Sequence, residues 1–174
     1  MVKGFYEDLA HAKKAEGIVL DILRNCTDEY DFVDVSNDKY YWHKGDIVID
    51  DNIFLDVKDD GVIHRTGNLL AEHRVKYGST WAEGFMQNAE YDFVGYLSQP
   101  DNILYILDFN LWKKYYLKRS QKHIFIPHVG QTTDAYLMSL KRAKELGIVL
   151  FTIKYAEEDG HYMPVEIVEN KGLA

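Results

Sequence analysis

The stretch GDIVIDDNIFLDVK, residues 45–58, constrains the fold more than any other part of the chain. Two apolar runs, 45–50 and 52–58, flank the pair Asp51-Asn52. Both residue types tolerate left-handed backbone angles, so the segment predicts a tight antiparallel hairpin. Side chains alternate along a strand, which sends Asp56 and Lys58 to one face and Val57 to the other. If the hairpin is centred between residues 51 and 52, residue 57 lies opposite Asp46, and Asp56 and Lys58 flank it across the ladder. Asp46 then shares their face only if a bulge or bend turns it.

The surrounding chain predicts a layered domain. Residues 6–24 read as an amphipathic helix, with Leu9, Ala12, Glu16, Val19, Leu20 and Leu23 at spacings of three and four. Glu16 falls on that apolar stripe. It is either an edge residue turned to water or an acid held near a site, where it needs a partner. Strands are expected over 32–35, 67–74 and 148–155, and a second hairpin over 90–98 and 103–109 around Gln99-Pro100-Asp101-Asn102. Helices are expected over 110–120 and 134–146. The second has Tyr136-Leu137, Leu140 and Ala143-Lys144 at helical spacing and Gly147 as its stop. The fold class expected is α/β in the α+β layered sense, and 174 residues without repeat or linker fit one domain over 1–174.

Composition narrows the setting. A single cysteine, Cys26, leaves no intrachain disulfide and no cysteine-cluster zinc site, and fits a reducing compartment. The N-terminal residues lack the apolar core of a secretory signal and no segment approaches a membrane span, so the expected location is the cytosol, with no membrane partner. The net charge of −8 argues against a surface that grips nucleic acid everywhere, because phosphate binding draws on lysine and arginine. Any such contact must be local. Lys113, Lys114, Lys118, Arg119 and Lys122, followed by His123, make a basic run interleaved with Trp112, Tyr115 and Tyr116. It is either a phosphate-facing surface or the solvated side of a helix. The thirteen tyrosines likewise read as sheet-covering residues or as base-stacking ones.

Asp46, Asp56 and Lys58 have the chemistry of a metal-assisted hydrolytic site. Two neighbouring carboxylates repel, and a hard divalent cation such as Mg²⁺ or Mn²⁺ relieves the repulsion while keeping several waters. Such a cation acidifies a bound water and neutralises charge on a phosphate, and a lysine beside it steadies the nucleophile or the developing charge.

The segment GDIVIDDNIFLDVK resembles the PD-(D/E)XK nuclease superfamily, whose pattern is an Asp, a short strand connection, then acid-x-Lys on the next strand. Gly45 stands where that family has proline, and Asp56 where it more often has Glu. Beyond the motif, the resemblance extends over about two thirds of the chain. The family's preceding helix offers a glutamate to the site, and Glu16 is its best match. Thr66-Gly67-Asn68 leading into Glu72, and the acid-aromatic segment from Glu90 to Tyr96, look like the strands that follow in phage and bacterial members. The resemblance implies a restriction-endonuclease-like core, a central mixed sheet flanked by helices. It also implies DNA cleavage with Mg²⁺ or Mn²⁺, with Asp46 and Asp56 as metal ligands and Asp46, Asp56, Lys58 and Glu16 as catalytic residues.

Each residue also has a plainer role open to it. Asp46 fits a turn-adjacent carboxylate, Asp56 with Lys58 a same-strand surface ion pair, and Glu72 an exposed strand residue. His43, just before the hairpin, reads as surface imidazole. His64, His73, His123, His128 and His161 form no H-x₃-H or HExxH pattern. The phosphate-cradling GxxxxGK[ST], the dinucleotide GxGxxG and the GxSxG elbow are absent from the sequence. The alternatives to a DNA nuclease are a nuclease-like module that binds a protein partner without catalysis, which the charge of −8 favours, and an RNA-processing nuclease on the same scaffold. A homodimer is compatible with either.

Overall fold

A computed structural model describes residues 2–117, 122–128 and 131–172, and in it the hairpin of residues 45–58 forms. Its strands are β2 (Ile47–Ile49) and β3 (Ile53–Asp59). Asp50 and Asp51 take positive φ, 48° and 66°, so the turn sits one residue earlier than the Asp51-Asn52 expectation. The register follows: Ile47 pairs with Leu55, Val48 with Phe54 and Ile49 with Ile53. This register is centred on residue 51, and its pairs stop at Ile47, so Asp46 lies just outside the ladder. The expectation of residue 57 as the ladder partner of Asp46 is corrected: Asp46 precedes the first paired residue of β2.

The other elements, in chain order, are α1 (Val2–Cys26), β1 (Phe32–Asp34), α2 (Ile63–Thr66), β4 (Asn68–Tyr77), β5 (Thr80–Glu83), α3 (Phe85–Asn88), β6 (Phe93–Ser98), β7 (Ile103–Asp108), α4 (Phe109–Tyr115), β8 (Lys122–His128), β9 (Gln131–Ser139), α5 (Leu140–Glu145), β10 (Val149–Glu158) and β11 (His161–Glu169). Among the described residues, seven strands form one sheet in the order β1-β2-β3-β6-β7-β10-β11, and four form a second in the order β5-β4-β9-β8. The larger sheet is mixed, because β3 and β6 run parallel while its other neighbours are antiparallel. A parallel pair needs a long crossover, and here the crossover carries α2, β4, β5 and α3. The central hairpin thereby comes to lie beside the second sheet. The architecture is of the α+β class.

Strand alternation builds two cores on the two faces of the large sheet. On one face Leu55, Leu97, Leu104, Ile106 and Ile153 meet Ala15, Ile18, Val19, Ile22 and Leu23 of α1. Gly95 of β6 lets the helix approach, since a Cβ there would stand 3.3 Å from Val19 Cγ1 and 3.2 Å from Leu55 Cδ2. On the other face Val94, Tyr96, Tyr105 and Leu107 meet Leu69, Ala71 and Met138 of the small sheet and Trp112 of α4. Leu55 faces the helix, so Asp56 and Lys58, one step along from Leu55 and Val57, face the small sheet.

Three expectations are corrected. Residues 134–146 are not one helix: 131–139 are β9, in the middle of the small sheet between β4 and β8, and only Leu140–Glu145 is helical. Ser139 caps that helix by accepting from Arg142 N–H at 3.2 Å. The spacing of Tyr136-Leu137, Leu140 and Ala143 straddles the strand-to-helix junction, and the β-forming Thr132, Thr133 and Tyr136 lie on the strand side. The buried stripe of α1 is Ala15, Ile18, Val19, Ile22 and Leu23, while Leu9 is 45% exposed. The helix expected over 110–120 ends at Tyr115, and Lys122 lies on β8. No helix among the described residues is long and apolar enough to cross a membrane.

Candidate functional site

Gly45 makes the site geometrically accessible. Its φ is +132°, and a Cβ at this position would lie 2.7 Å from the Leu55 carbonyl oxygen. Only glycine fits that approach without displacing backbone. Immediately after it, Asp46 N–H donates to the Leu55 carbonyl at 3.0 Å, although Leu55 is paired with Ile47. The chain bends out of strict pairing there, and Asp46 Oδ2 accepts from Val57 N–H at 2.8 Å. The carboxylate is thus anchored to the β3 backbone between Asp56 and Lys58.

Lys58 Nζ lies 2.5 Å from Asp56 Oδ2, with the Asp56 side chain 13% and the Lys58 side chain 32% exposed. Asp56 Oδ2 is closed off from solvent, and beyond that ammonium it receives no directional hydrogen bond among the described residues. Lys58 also stands 5.0 Å from the centroid of Phe85 and 6.0 Å from that of Tyr91. Phe85 is delivered by Gly84, which packs so closely on Glu72 that a Cβ would meet the Glu72 carbonyl at 2.6 Å. Tyr91 is 4% exposed, and its hydroxyl has no hydrogen-bond partner among the described residues. Asp92 next to it ties the start of β3 down, accepting from Phe54 N–H at 2.9 Å.

The acids share one field. Burial and then the Asp56 charge push the Asp46 carboxyl up to about 6, with Glu16 adding to the repulsion. Burial raises Asp56 in spite of Lys58, and Glu16 again contributes. Burial pulls Lys58 down, but Asp56, Asp46 and Glu72 more than offset it, so its ammonium is held. Burial and the charges of Asp56, Asp46 and Glu72 raise the Tyr91 phenol.

The structure thus brings Asp46, Asp56 and Lys58 together, with Glu16 and Glu72 in electrostatic reach. Glu16 itself is paired with Lys13 at 2.8 Å. Among the described residues no three acidic, histidine or cysteine side chains converge as a ready-made metal cage. Two carboxylates in one field, with the Lys58 ammonium against one of them, still suit a hard cation that takes few protein ligands and keeps its waters. Phe85 and Tyr91 are members of the site that the sequence pattern did not single out; for Tyr91 the acid-aromatic segment Glu90-Tyr91-Asp92 carried the signal.

The basic run is dispersed. Lys113 lies on α4 and reaches back to the carbonyls of Ala89 (3.3 Å) and Gln87 (3.4 Å). Lys114 is exposed on α4 and Lys122 on β8. Lys118 and Arg119 lie outside the described residues. The aromatic partners of the run are core: Trp112 is fully buried and Tyr116 is 5% exposed. His43 is exposed and offers the site only its carbonyl, which accepts from Glu90 N–H at 2.8 Å. Comparisons with protein-family models, with curated proteins and with solved structures find no match to this chain.

Proposed function

We propose that this chain is a divalent-metal-dependent nuclease that hydrolyses DNA phosphodiester bonds on a restriction-endonuclease-like PD-(D/E)XK core. The observation that carries the reading is the convergence of Asp46, Asp56 and Lys58 at a bend only glycine permits, with Asp46 hydrogen-bonded to β3 between the other two. The helix that precedes the hairpin supports it too, because its Glu16 adds to the field on both aspartates. Asp46 and Asp56 would hold Mg²⁺ or Mn²⁺, which supplies an acidified water and charge neutralisation at the phosphate. Lys58 orients the attacking water or the phosphate oxygen with its ammonium, and the pair it makes with Asp56 keeps it charged for that task. Phe85 and Tyr91 exclude bulk water from one side of the ammonium, which strengthens its effect.

DNA cleavage is expected with Mg²⁺ or Mn²⁺ and not in EDTA, and the Asp46→Ala/Asp56→Ala double variant is expected to be inactive. Lys58→Ala should lose at least about a hundredfold in turnover, the scale of one transition-state electrostatic interaction, while calorimetry still detects the metal. Undiminished cutting in EDTA or by the double variant places the chemistry elsewhere. A second reading, a nuclease-like module that binds a protein without catalysis, is favoured by the net charge of −8. It predicts no cutting with either metal.

A further inference from the structure

Beside Lys58 a cleft of about 650 Å³ opens between the large sheet and the small one. Its far wall is one face of the small sheet: Leu70 and its cross-strand partner Leu137, with Ile124 and Ile126 on the neighbouring strand β8. Phe85 adjoins this wall on the Lys58 side, so an aromatic face stands next to the cation. At its floor Tyr96 donates to Asp60 Oδ2 at 2.6 Å and accepts from Leu70 N–H at 3.1 Å, tying both sheets together. Amide and hydroxyl groups of Asn68, Gln131 and Thr133 sit among the apolar side chains.

The chemistry of these walls selects what can enter. Asp59 and Asp60 line the cleft, and among the described residues Lys58 is the cation that meets it, so a run of phosphates is disfavoured inside. A volume of this order suits a small molecule or a single extruded group and excludes a duplex. Apolar walls with an aromatic face and a few amide groups match a nucleobase, which has a π-face to stack and an edge to hydrogen-bond. The cleft is continuous with the proposed catalytic lysine, so a base lodged there holds its own phosphate at Lys58.

We propose that this cleft receives one unpaired base next to the scissile phosphate, so that the substrate is single-stranded DNA or an unpaired DNA end and not continuous duplex. The proposal rests on the nuclease reading for the identity of the adjacent phosphate. Affinity and cutting separate the two.

The probe is a short fluorescent single-stranded DNA, compared with a blunt duplex of the same sequence and with a single strand carrying abasic sugars in place of its bases. Affinity is measured by anisotropy with Ca²⁺ replacing Mg²⁺, and cutting is followed with Mg²⁺. The single strand is expected to bind about tenfold or more tightly than the abasic strand, the scale of base stacking, and to be cut in preference to the blunt duplex. Ile126→Trp, which fills the cleft with an apolar ring, should abolish that preference, while Ile126→Val should retain it. Equal affinity for the intact and abasic strands overturns the proposal without any protein variant, because only phosphates are then being read. Preferential cutting of blunt duplex, unchanged in Ile126→Trp, also overturns it and leaves the nuclease reading standing. A base-dependent affinity that Ile126→Trp removes, with no cutting in Mg²⁺ or Mn²⁺, upholds the cleft and overturns the nuclease reading.

Discussion

Two glycines illustrate how much a single position can depend on its surroundings. At Gly45 the backbone has φ +132° and an added Cβ would collide with the Leu55 carbonyl at 2.7 Å, whereas around Gly17, in the middle of α1, nothing lies within 4 Å of one. The same substitution therefore has opposite signs. Gly45→Ala is expected to destabilise by about 1–3 kcal/mol or more, since both strain and collision oppose it. Gly17→Ala is expected to stabilise by about 0.5–1 kcal/mol through helix propensity. Urea denaturation of both variants checks this, and a neutral Gly45→Ala would mean that the bend before Asp46 is not fixed as described. Because the bend sets Asp46 against Val57 N–H, Gly45→Ala should also weaken the proposed metal binding, which Gly17→Ala should leave alone.

At the scale of elements, the small sheet is held by an ionic knot as well as by its ladder. Asp134 of β9 is 1% exposed and accepts from Arg74 Nε of β4 at 2.5 Å and from His123 Nε2 of β8, so one carboxylate bridges three strands. Arg74 lies in turn 4.3 Å above the Trp81 ring of β5. Burial acts to raise the Asp134 carboxyl, but the bonds from His123 and Arg74 outweigh it and hold it below the usual carboxylate range. A group depressed in the folded state contributes stability above its unfolded pKa of about 3.9, and that contribution disappears as pH falls through the folded value. The wild type should therefore exceed Asp134→Asn in stability at neutral pH, and the gap should close below about pH 4. Unfolding free energies measured along that pH range decide it. A gap that is constant with pH would assign the effect to packing and not to the charge.

For the whole molecule, charge distribution would govern how DNA approaches under the proposed nuclease function. With a net −8, any affinity for DNA has to come from a few local cations. Lys114 on α4 and Lys122 on β8 are exposed, while Lys113 is committed to the carbonyls of Ala89 and Gln87. Lys114→Glu with Lys122→Glu should weaken DNA binding evenly across sequences. The slope of log affinity against log salt should fall by about 0.7–0.9 for each phosphate that is no longer neutralised. An unchanged slope would make both lysines solvated surface residues. Lys113→Ala acts differently: it should loosen the segment that carries Tyr91 and alter turnover more than salt dependence.

The sequence by itself determined the parts whose physics is local. Alternation put Asp56 and Lys58 on one face, a polar turn segment between two apolar runs made 45–58 a hairpin, and apolar spacing made the first helix, with Gly147 ending the last one at φ +72°. The register was a non-local matter: the pairs are centred on residue 51 and stop at Ile47, and the bend that leaves Asp46 outside them is not distinguished by any pattern within either strand. Residues 131–139 show the same limit. Their spacing suits a helix, but two neighbouring strands offer ladder partners on both sides, and burial between them outweighs intrinsic preference. Tyr91 and Phe85 come to Lys58 only because β6 pairs parallel to β3, which forces a long crossover to return beside the hairpin. The cleft is likewise a product of two sheets meeting, with walls drawn from β3, β4, β8 and β9. Pairings between residues far apart in the chain are set by which surfaces bury each other, and that is decided only when the whole chain has folded.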